Sequence, residues 1–185
     1  MSRKVYYKDS TVKGWVHNII RGMSADDWKP DYVVGLTRGG LAPAIMLSQY
    51  LDVPMETLKV SFRDDSTGPE SNLWMAEDAF GYVTNEVIPV PTDAVRSDPA
   101  LRKNILIVDD INDSGATLNW IKQDWRSGCL PNDPAWDNIW GYNVRVAVLI
   151  NNEASEFTDV DYVGLNINKL EEPIWCVFPW EEWWA

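Results

Sequence analysis

Apolar residues recur at Val12, Trp15, Val16, Ile19 and Ile20, the spacing of one helical face, so the pattern predicts a helix over residues 10–22 with Ser10 or Thr11 as its cap. Residues 31–36 (DYVVGL) form a short apolar run suited to a buried strand, and Gly39-Gly40 then break the chain. Residues 41–51 (LAPAIMLSQYL) read as a helix with Pro43 in its first turn, where a missing N–H costs nothing. A second strand is expected at 58–62. Residues 105–109 give the clearest strand of the chain, followed by a helix over 117–125. Residues 127–143 read as a loop, and further strands are expected at 144–150, 161–165 and 176–178.

Residues 63–104 are the least regular part, with Pro69, Pro89, Pro91 and Pro99 breaking the pattern. So long an irregular stretch reads as a functional lid or a disordered loop. A hairpin pairing 80–83 with 86–90 is the one local structure expected in it. Elsewhere strand, glycine turn, helix and strand follow one another twice, which predicts an α/β fold with a parallel sheet. Ligands of such sheets sit at the C-terminal ends of the strands, where both glycine turns fall.

Composition narrows the picture. A chain of 185 residues with 45% apolar and 24% charged positions predicts one domain over 1–185 with a substantial core. The net charge of -12 argues against a nucleic-acid binder. Eleven Trp read mainly as core and interface packing, with some faces available to stack on a flat ligand. Cys129 and Cys176 stand far apart without metal-ligand spacing, which points to a reducing, cytoplasmic setting and no zinc. The single His, His17, reads as structural or surface. No apolar run is long enough to predict a membrane span.

The candidate chemistry lies in the two turns. In ILIVDDINDSGATL, residues 105–118, four apolar residues run into adjacent Asp109 and Asp110, then Asp113, then a turn of small residues. Ser114, Gly115, Ala116 and Thr117 at a helix N-terminus allow backbone N–H groups to wrap a phosphate, with two hydroxyls as further donors. Carboxylates accept hydrogen bonds from vicinal sugar hydroxyls and attract Mg2+. The turn therefore suits a ribose 5-phosphate with a metal nearby; the plainer reading is an acidic strand end that caps a helix. There is no GxxxxGK[ST] loop and no GxGxxG. In the first turn, Arg38 offers a fork of donors to a phosphate and Gly39-Gly40 allow a tight backbone with exposed N–H groups.

These residues carry a resemblance. ILIVDDINDSGAT is similar to the phosphoribosyl-pyrophosphate signature of the type I phosphoribosyltransferases, and VVGLTRGGLAPAIMLSQYL resembles their pyrophosphate-loop segment, especially in the bacterial xanthine-guanine and hypoxanthine members. DYVGLN at 161–166 and WCVFPWE at 175–181 resemble the hood that these purine enzymes place over the base. The resemblance implies the type I fold: a twisted, mainly parallel sheet flanked by helices, a small hood over about 151–185, and a flexible active-site loop over about 63–104.

It also implies an activity, the Mg2+-dependent transfer of the phosphoribosyl group from phosphoribosyl pyrophosphate to a hypoxanthine, xanthine or guanine type of base in purine salvage, by a dimer or tetramer. Asp109 and Asp110 would bind the ribose hydroxyls with Mg2+ close by, and Glu181 is a further candidate metal ligand. Asp113 with Ser114, Gly115, Ala116 and Thr117 would cradle the 5-phosphate, and Asp113 would take a proton from N7 of the base. Thr37, Arg38, Gly39 and Gly40 would hold the pyrophosphate, with a cis peptide between Thr37 and Arg38. Trp175 would stack on the base. Purine members usually carry a Lys at the end of the strand matching 144–150; here Asn152 aligns with it, one residue after Asn151, so Asn152 becomes the base-binding candidate. Two alternatives stand beside this reading: a non-catalytic regulator or nucleotide-binding module of the same fold, and a transferase for a non-purine acceptor.

Overall fold

The structure, a computed structural model, describes residues 2–60, 72–84 and 95–184. In chain order the elements are β1 (Arg3–Tyr6), α1 (Asp9–Ala25), β2 (Tyr32–Thr37), α2 (Leu41–Leu51), β3 (Met55–Lys59), α3 (Leu73–Phe80), β4 (Tyr82–Thr84), β5 (Val95–Ser97), β6 (Ile105–Asn112), α4 (Ala116–Gly128), β7 (Val144–Asn152), β8 (Tyr162–Ile167) and β9 (Ile174–Val177). Five strands make one parallel sheet in the order β3-β2-β6-β7-β8.

Both faces of this sheet are covered, which is why its central strands read as unbroken apolar runs rather than as alternation. Ile105 and Ile107 of β6 pack with α3 and α4, in a core that includes Met75, Phe80, Leu118, Ile121 and Trp125. Leu106 and Val108 point the other way, into a core built with Val12, Ile19, Met23 and Leu47 of α1 and α2. The two-residue period of a strand divides one apolar run between two cores. Trp15, Trp125 and Trp136 are buried, as the packing reading of the tryptophans expects, whereas Trp74, Trp175, Trp183 and Trp184 are exposed.

Helix α1 buries the predicted stripe plus Met23, and His17 lies on its exposed side. Its cap differs from the expectation. The helix starts earlier, Lys8 is the capping residue, and neither Ser10 nor Thr11 closes the end; the Lys8 carbonyl instead accepts from Thr11 N–H at 2.9 Å and Val12 N–H at 3.1 Å. Asp9 in the first turn favours the positive end of the helix dipole. Strand β3 also lies earlier than 58–62. Pro54 C=O accepts from Val33 N–H at 3.0 Å, and the register then runs from Val33↔Met55 to Thr37↔Lys59. Residues 61 and 62 lie outside the described residues. Strand β1 carried no pattern of its own; it exists because β9 pairs with it in parallel, Arg3↔Ile174 through Tyr6↔Val177.

The stretch read as one irregular loop is largely anchored where it is described. Helix α3 buries Met75, Ala76, Ala79 and Phe80, each at most 1% exposed. Tyr82–Thr84 pairs antiparallel with Val95–Ser97, and the expected second arm at 86–90 lies outside the described residues. Arg102 ties this region down, donating to Phe80 O, Asn138 O and Ser97 Oγ. Asn143 Nδ2 donates to Ala79 O at 2.9 Å and to Lys103 O at 3.0 Å. Short apolar content split by prolines hid a helix whose stability comes from tertiary packing rather than length. Replacement Phe80→Ala should therefore lower unfolding free energy by about 3–5 kcal/mol, and Leu101→Ala, at an exposed site, by less than about 0.5 kcal/mol. Chemical denaturation of both variants checks this, and equal small losses would mean that α3 does not belong to the core.

Candidate active site

Strands β2 and β6 are parallel neighbours, paired Tyr32↔Ile105 through Gly35↔Val108, so the turns that follow them emerge side by side at the C-terminal end of the sheet. The peptide bond between Thr37 and Arg38 is cis, and Arg38 is exposed. The turn lies directly on the end of β6. A Cβ on Gly39 would fall 1.9 Å from Asp110 Oδ2, and one on Gly40 would fall 2.4 Å from Val108 O. Only residues without side chains permit this approach.

Beneath that turn stand the paired acids. Asp110 N–H donates to Asp109 Oδ1 at 2.9 Å. Burial, and then the charge of Asp110, push the Asp109 carboxyl well above the usual range. Burial pushes Asp110 up to about 6, and the charge of Glu181 adds to the shift. Glu181 thus reaches the pair electrostatically from the C-terminal segment, where its Oε2 accepts from Phe178 N–H at 3.0 Å and closes a turn. Among the described residues no group of three or more His, Cys, Asp or Glu is arranged to hold a metal by itself. Two crowded, poorly solvated carboxylates do fit a hard cation that takes its remaining oxygens from water and a bound ligand.

The second turn begins α4. Its first intrahelical bond runs from Asn119 N–H to Gly115 O at 3.0 Å, so the N–H groups of Ala116, Thr117 and Leu118 precede the helical ladder. Ser114 Oγ accepts from Ala116 N–H at 3.3 Å. Gly115 takes φ +86°, and a Cβ there would lie 2.4 Å from Phe157 N and 2.7 Å from Ser155 Oγ. The segment after β7 is therefore the back wall of this turn. Glu156 N–H donates to Ser114 O at 3.1 Å, while Ser155 Oγ donates to Asn112 Oδ1 at 2.9 Å and accepts from Phe157 N–H at 3.2 Å. Asn112, Asn151 and Asn166 stand in register on β6, β7 and β8, each amide linked to the next. Asn151 thus belongs to a ladder between strands.

Asp113 and Asn152 are brought together, as the sequence reading required. Asn152 is 7% exposed. Its Nδ2 donates to Asp113 O at 3.0 Å and Asp113 Oδ1 at 3.4 Å, and its Oδ1 accepts from Lys169 N–H at 3.0 Å and Ala154 N–H at 3.3 Å. The ammonium of Lys169 lies 2.9 Å from Asp113 Oδ2. Trp175, on β9, is exposed beside buried Cys176, whose thiol is raised by burial while feeling the charges of Lys169, Asp113 and Asp110. Sequence reasoning missed Lys169, Ser155, Phe157 and Asn112. For Lys169 a signal existed: it is the only Lys or Arg in residues 151–185.

Residues 7–183 match the family model described as the phosphoribosyl transferase domain. A xanthine-guanine phosphoribosyltransferase of Ruegeria is 31% identical over 117 residues, 63% of this chain and 58% of that protein. One from Roseobacter denitrificans is 25% identical over 176 residues, 95% of this chain and 80% of that protein. The chain spans under three-fifths, 58%, of the length of the Ruegeria relative and of a Cereibacter sphaeroides one. Among solved structures, a purine phosphoribosyltransferase from Pyrococcus horikoshii superposes with a TM-score of 0.60 at 22% identity, covering 97% of this chain and 95% of that one. A xanthine-guanine-hypoxanthine phosphoribosyltransferase from Helicobacter pylori gives 0.61 at 17%, with the same coverage of both chains. Those two likenesses show the fold.

The strained charge of the acid pair has a measurable consequence. The Asp110 carboxyl has a raised value in the fold, so it stabilises the protein at low pH, and that contribution is lost as pH rises from its ordinary 3.8 through about 6. Asp110→Asn should raise metal-free stability at pH 8 by about 2 kcal/mol, or ~4–8 °C in Tm. The gain should shrink as pH falls through 6 toward 4. Thermal unfolding in chelator checks it; a destabilised variant at pH 8 would contradict the assignment.

Proposed function

Since this chain belongs to the phosphoribosyl transferase domain family, we propose that it transfers the 5-phosphoribosyl group of phosphoribosyl pyrophosphate to a purine base of the hypoxanthine, xanthine or guanine type. The products are a nucleoside 5′-monophosphate and pyrophosphate, and the setting is cytoplasmic purine salvage. The observation that carries this reading is the convergence at the C-terminal end of the sheet of two phosphate-suited turns, the Asp109–Asp110 pair between them, and Asp113 within 2.9 Å of a lysine ammonium. Residues 1–185 act in it as one phosphoribosyltransferase domain. Among the described residues no helix is long and apolar enough to cross a membrane, and the net charge of -12 offers nucleic acid no basic surface.

In this reading the N–H groups and hydroxyls of Ser114, Gly115, Ala116 and Thr117 bind the 5-phosphate, and Asp109 and Asp110 accept hydrogen bonds from the ribose hydroxyls. Thr37, Arg38, Gly39 and Gly40 hold the pyrophosphate. Asp109 and Asp110, with Glu181, would hold Mg2+, which when bound neutralises charge on the leaving group. The N9 lone pair of the base forms the new bond to C1 as the C1–O bond breaks, and that electron pair leaves with pyrophosphate. Asp113 accepts the proton from N7 as a general base. The oxocarbenium-like state needs fixed charge more than a covalent nucleophile. Trp175 offers an exposed ring to stack on the base. Asn152 serves the base site by fixing Asp113 through its amide. Exposed Trp74, Trp183 and Trp184 suit a homo-oligomer interface.

With Mg2+ and phosphoribosyl pyrophosphate, the purified protein should convert at least one of hypoxanthine, guanine and xanthine to its 5′-monophosphate. No pyrophosphate release with any purine, adenine included, would sink the purine reading. Asp113→Asn should lower kcat by about 100-fold or more while the diphosphate sugar binds with affinity within a few-fold of wild type. Isothermal titration and steady-state kinetics separate the two; undiminished kcat would remove Asp113 from the mechanism.

A further inference from the structure

We infer that Asn112, the last residue of β6, is a positioning residue for the phosphate turn. Acting through Ser155 and Glu156, it holds the Ser114–Gly115 peptide with its N–H toward the bound anion. This rests on the phosphoribosyltransferase reading of that turn and adds to it a residue that does not itself touch the ligand.

Asn112 is 2% exposed, and its amide is engaged on every side. Nδ2 donates to Asn151 Oδ1 at 2.8 Å and to Phe157 O at 2.9 Å, and Oδ1 accepts from Ser155 Oγ at 2.9 Å. Ser155 Oγ in turn accepts from Phe157 N–H at 3.2 Å. All three partners lie between the end of β7 and residue 157, and Ser155 and Phe157 are the residues against which Gly115 is pressed. Glu156 N–H, between them, donates to Ser114 O at 3.1 Å. The result is a closed ring. It runs from Asn112 to Ser114 along the chain, to Glu156 by a hydrogen bond, to Ser155 along the chain, and back to Asn112 by a hydrogen bond.

The ring fixes one peptide plane. The Ser114–Gly115 bond is trans, so the C=O and N–H of that unit point opposite ways. With Ser114 C=O held by Glu156, Gly115 N–H faces away from the wall, to the side where Ser114 and Ala116 are exposed. Gly115, at φ +86°, is also the residue whose freedom permits the reverse orientation. A flip of this plane would aim the Ser114 carbonyl at the phosphate and replace an attraction by a repulsion. An apolar side chain at 112 leaves Ser155 Oγ and Phe157 O without this partner in a buried place. Unmatched buried polar atoms are costly, so the wall shifts to relieve them and releases the plane.

The test titrates wild type, Asn112→Val and Ser155→Ala calorimetrically with ribose 5-phosphate, and with pyrophosphate and Mg2+ as the control for the other turn, at a temperature where each protein is folded. Asn112→Val should weaken ribose 5-phosphate binding by about 10-fold, the worth of one hydrogen bond to a charged group, while pyrophosphate binding is unchanged. Ser155→Ala cuts the same ring with Asn112 in place and should do the same. The double variant should lose no more than either single one, because one broken link opens the ring. In turnover, the loss should fall on KM for phosphoribosyl pyrophosphate and spare kcat. An amide that serves stability alone would lower Tm and leave ribose 5-phosphate affinity of the folded protein as in wild type. That result overturns the inference, and so does equal weakening of both ligands. If Asn112→Val does not fold, Ser155→Ala decides by the same measurement. Wild type that binds ribose 5-phosphate but turns over no base refutes the transferase reading and leaves the role of Asn112 standing; wild type that binds no ribose 5-phosphate overturns that role.

Discussion

Asp109 and Asp110 stand together at the C-terminal end of the central strand with little water around them, and Glu181 adds a third negative charge nearby. Like charges at this range disfavour each other, and burial disfavours each charged form further. Nothing in the packing requires acids there, since Val108 one residue earlier is fully buried and apolar. The arrangement is favourable only toward something that brings positive charge or hydroxyl donors. A sugar with a bound divalent cation brings both. The neighbouring turn is pressed onto Asp110 so closely that Gly39 admits no side chain.

The second loop is held from behind in a comparable way. Gly115 leaves no room for a side chain against Ser155 and Phe157, and Ser155 bonds to Asn112 at the end of β6. The Asn112–Asn151–Asn166 ladder fastens the ends of three adjacent strands. A cradle for an anion is useful only if its N–H groups are already oriented, because ordering them on binding costs free energy. The segment after β7 therefore braces this turn, and Asn152 at the end of β7 bonds both Asp113 and the backbone of Lys169. The Asn152 amide is fully engaged within the protein, and the Lys169 ammonium pairs with Asp113 from the turn after β8.

Much was legible along the chain. The apolar run 105–108, the glycine turns and the helical stripe of α1 specify a covered parallel sheet because strand and helix periods are local properties. The run of acids ahead of Ser114-Gly115-Ala116-Thr117 marked the turn that opens α4 as the place to look for chemistry, since an acid pair beside small residues has few structural uses. Helix α3 was not legible: its eight residues lie among prolines, and only contact with Phe80's neighbours in the core makes them a helix. Strand β1 likewise depends on β9, more than 160 residues away.

By itself, then, the sequence determined the sheet, the two glycine turns and the position of the acids, because each follows from short-range pattern and side-chain chemistry. Tertiary structure alone decided how those parts meet. It made Asn152 a support rather than a free amide, brought the only cation of residues 151–185 onto Asp113, and set the closeness of Gly39 to Asp110. The physical reason is that a hydrogen bond or ion pair depends on distances of about 3 Å, and distances between residues far apart in the chain are set by packing.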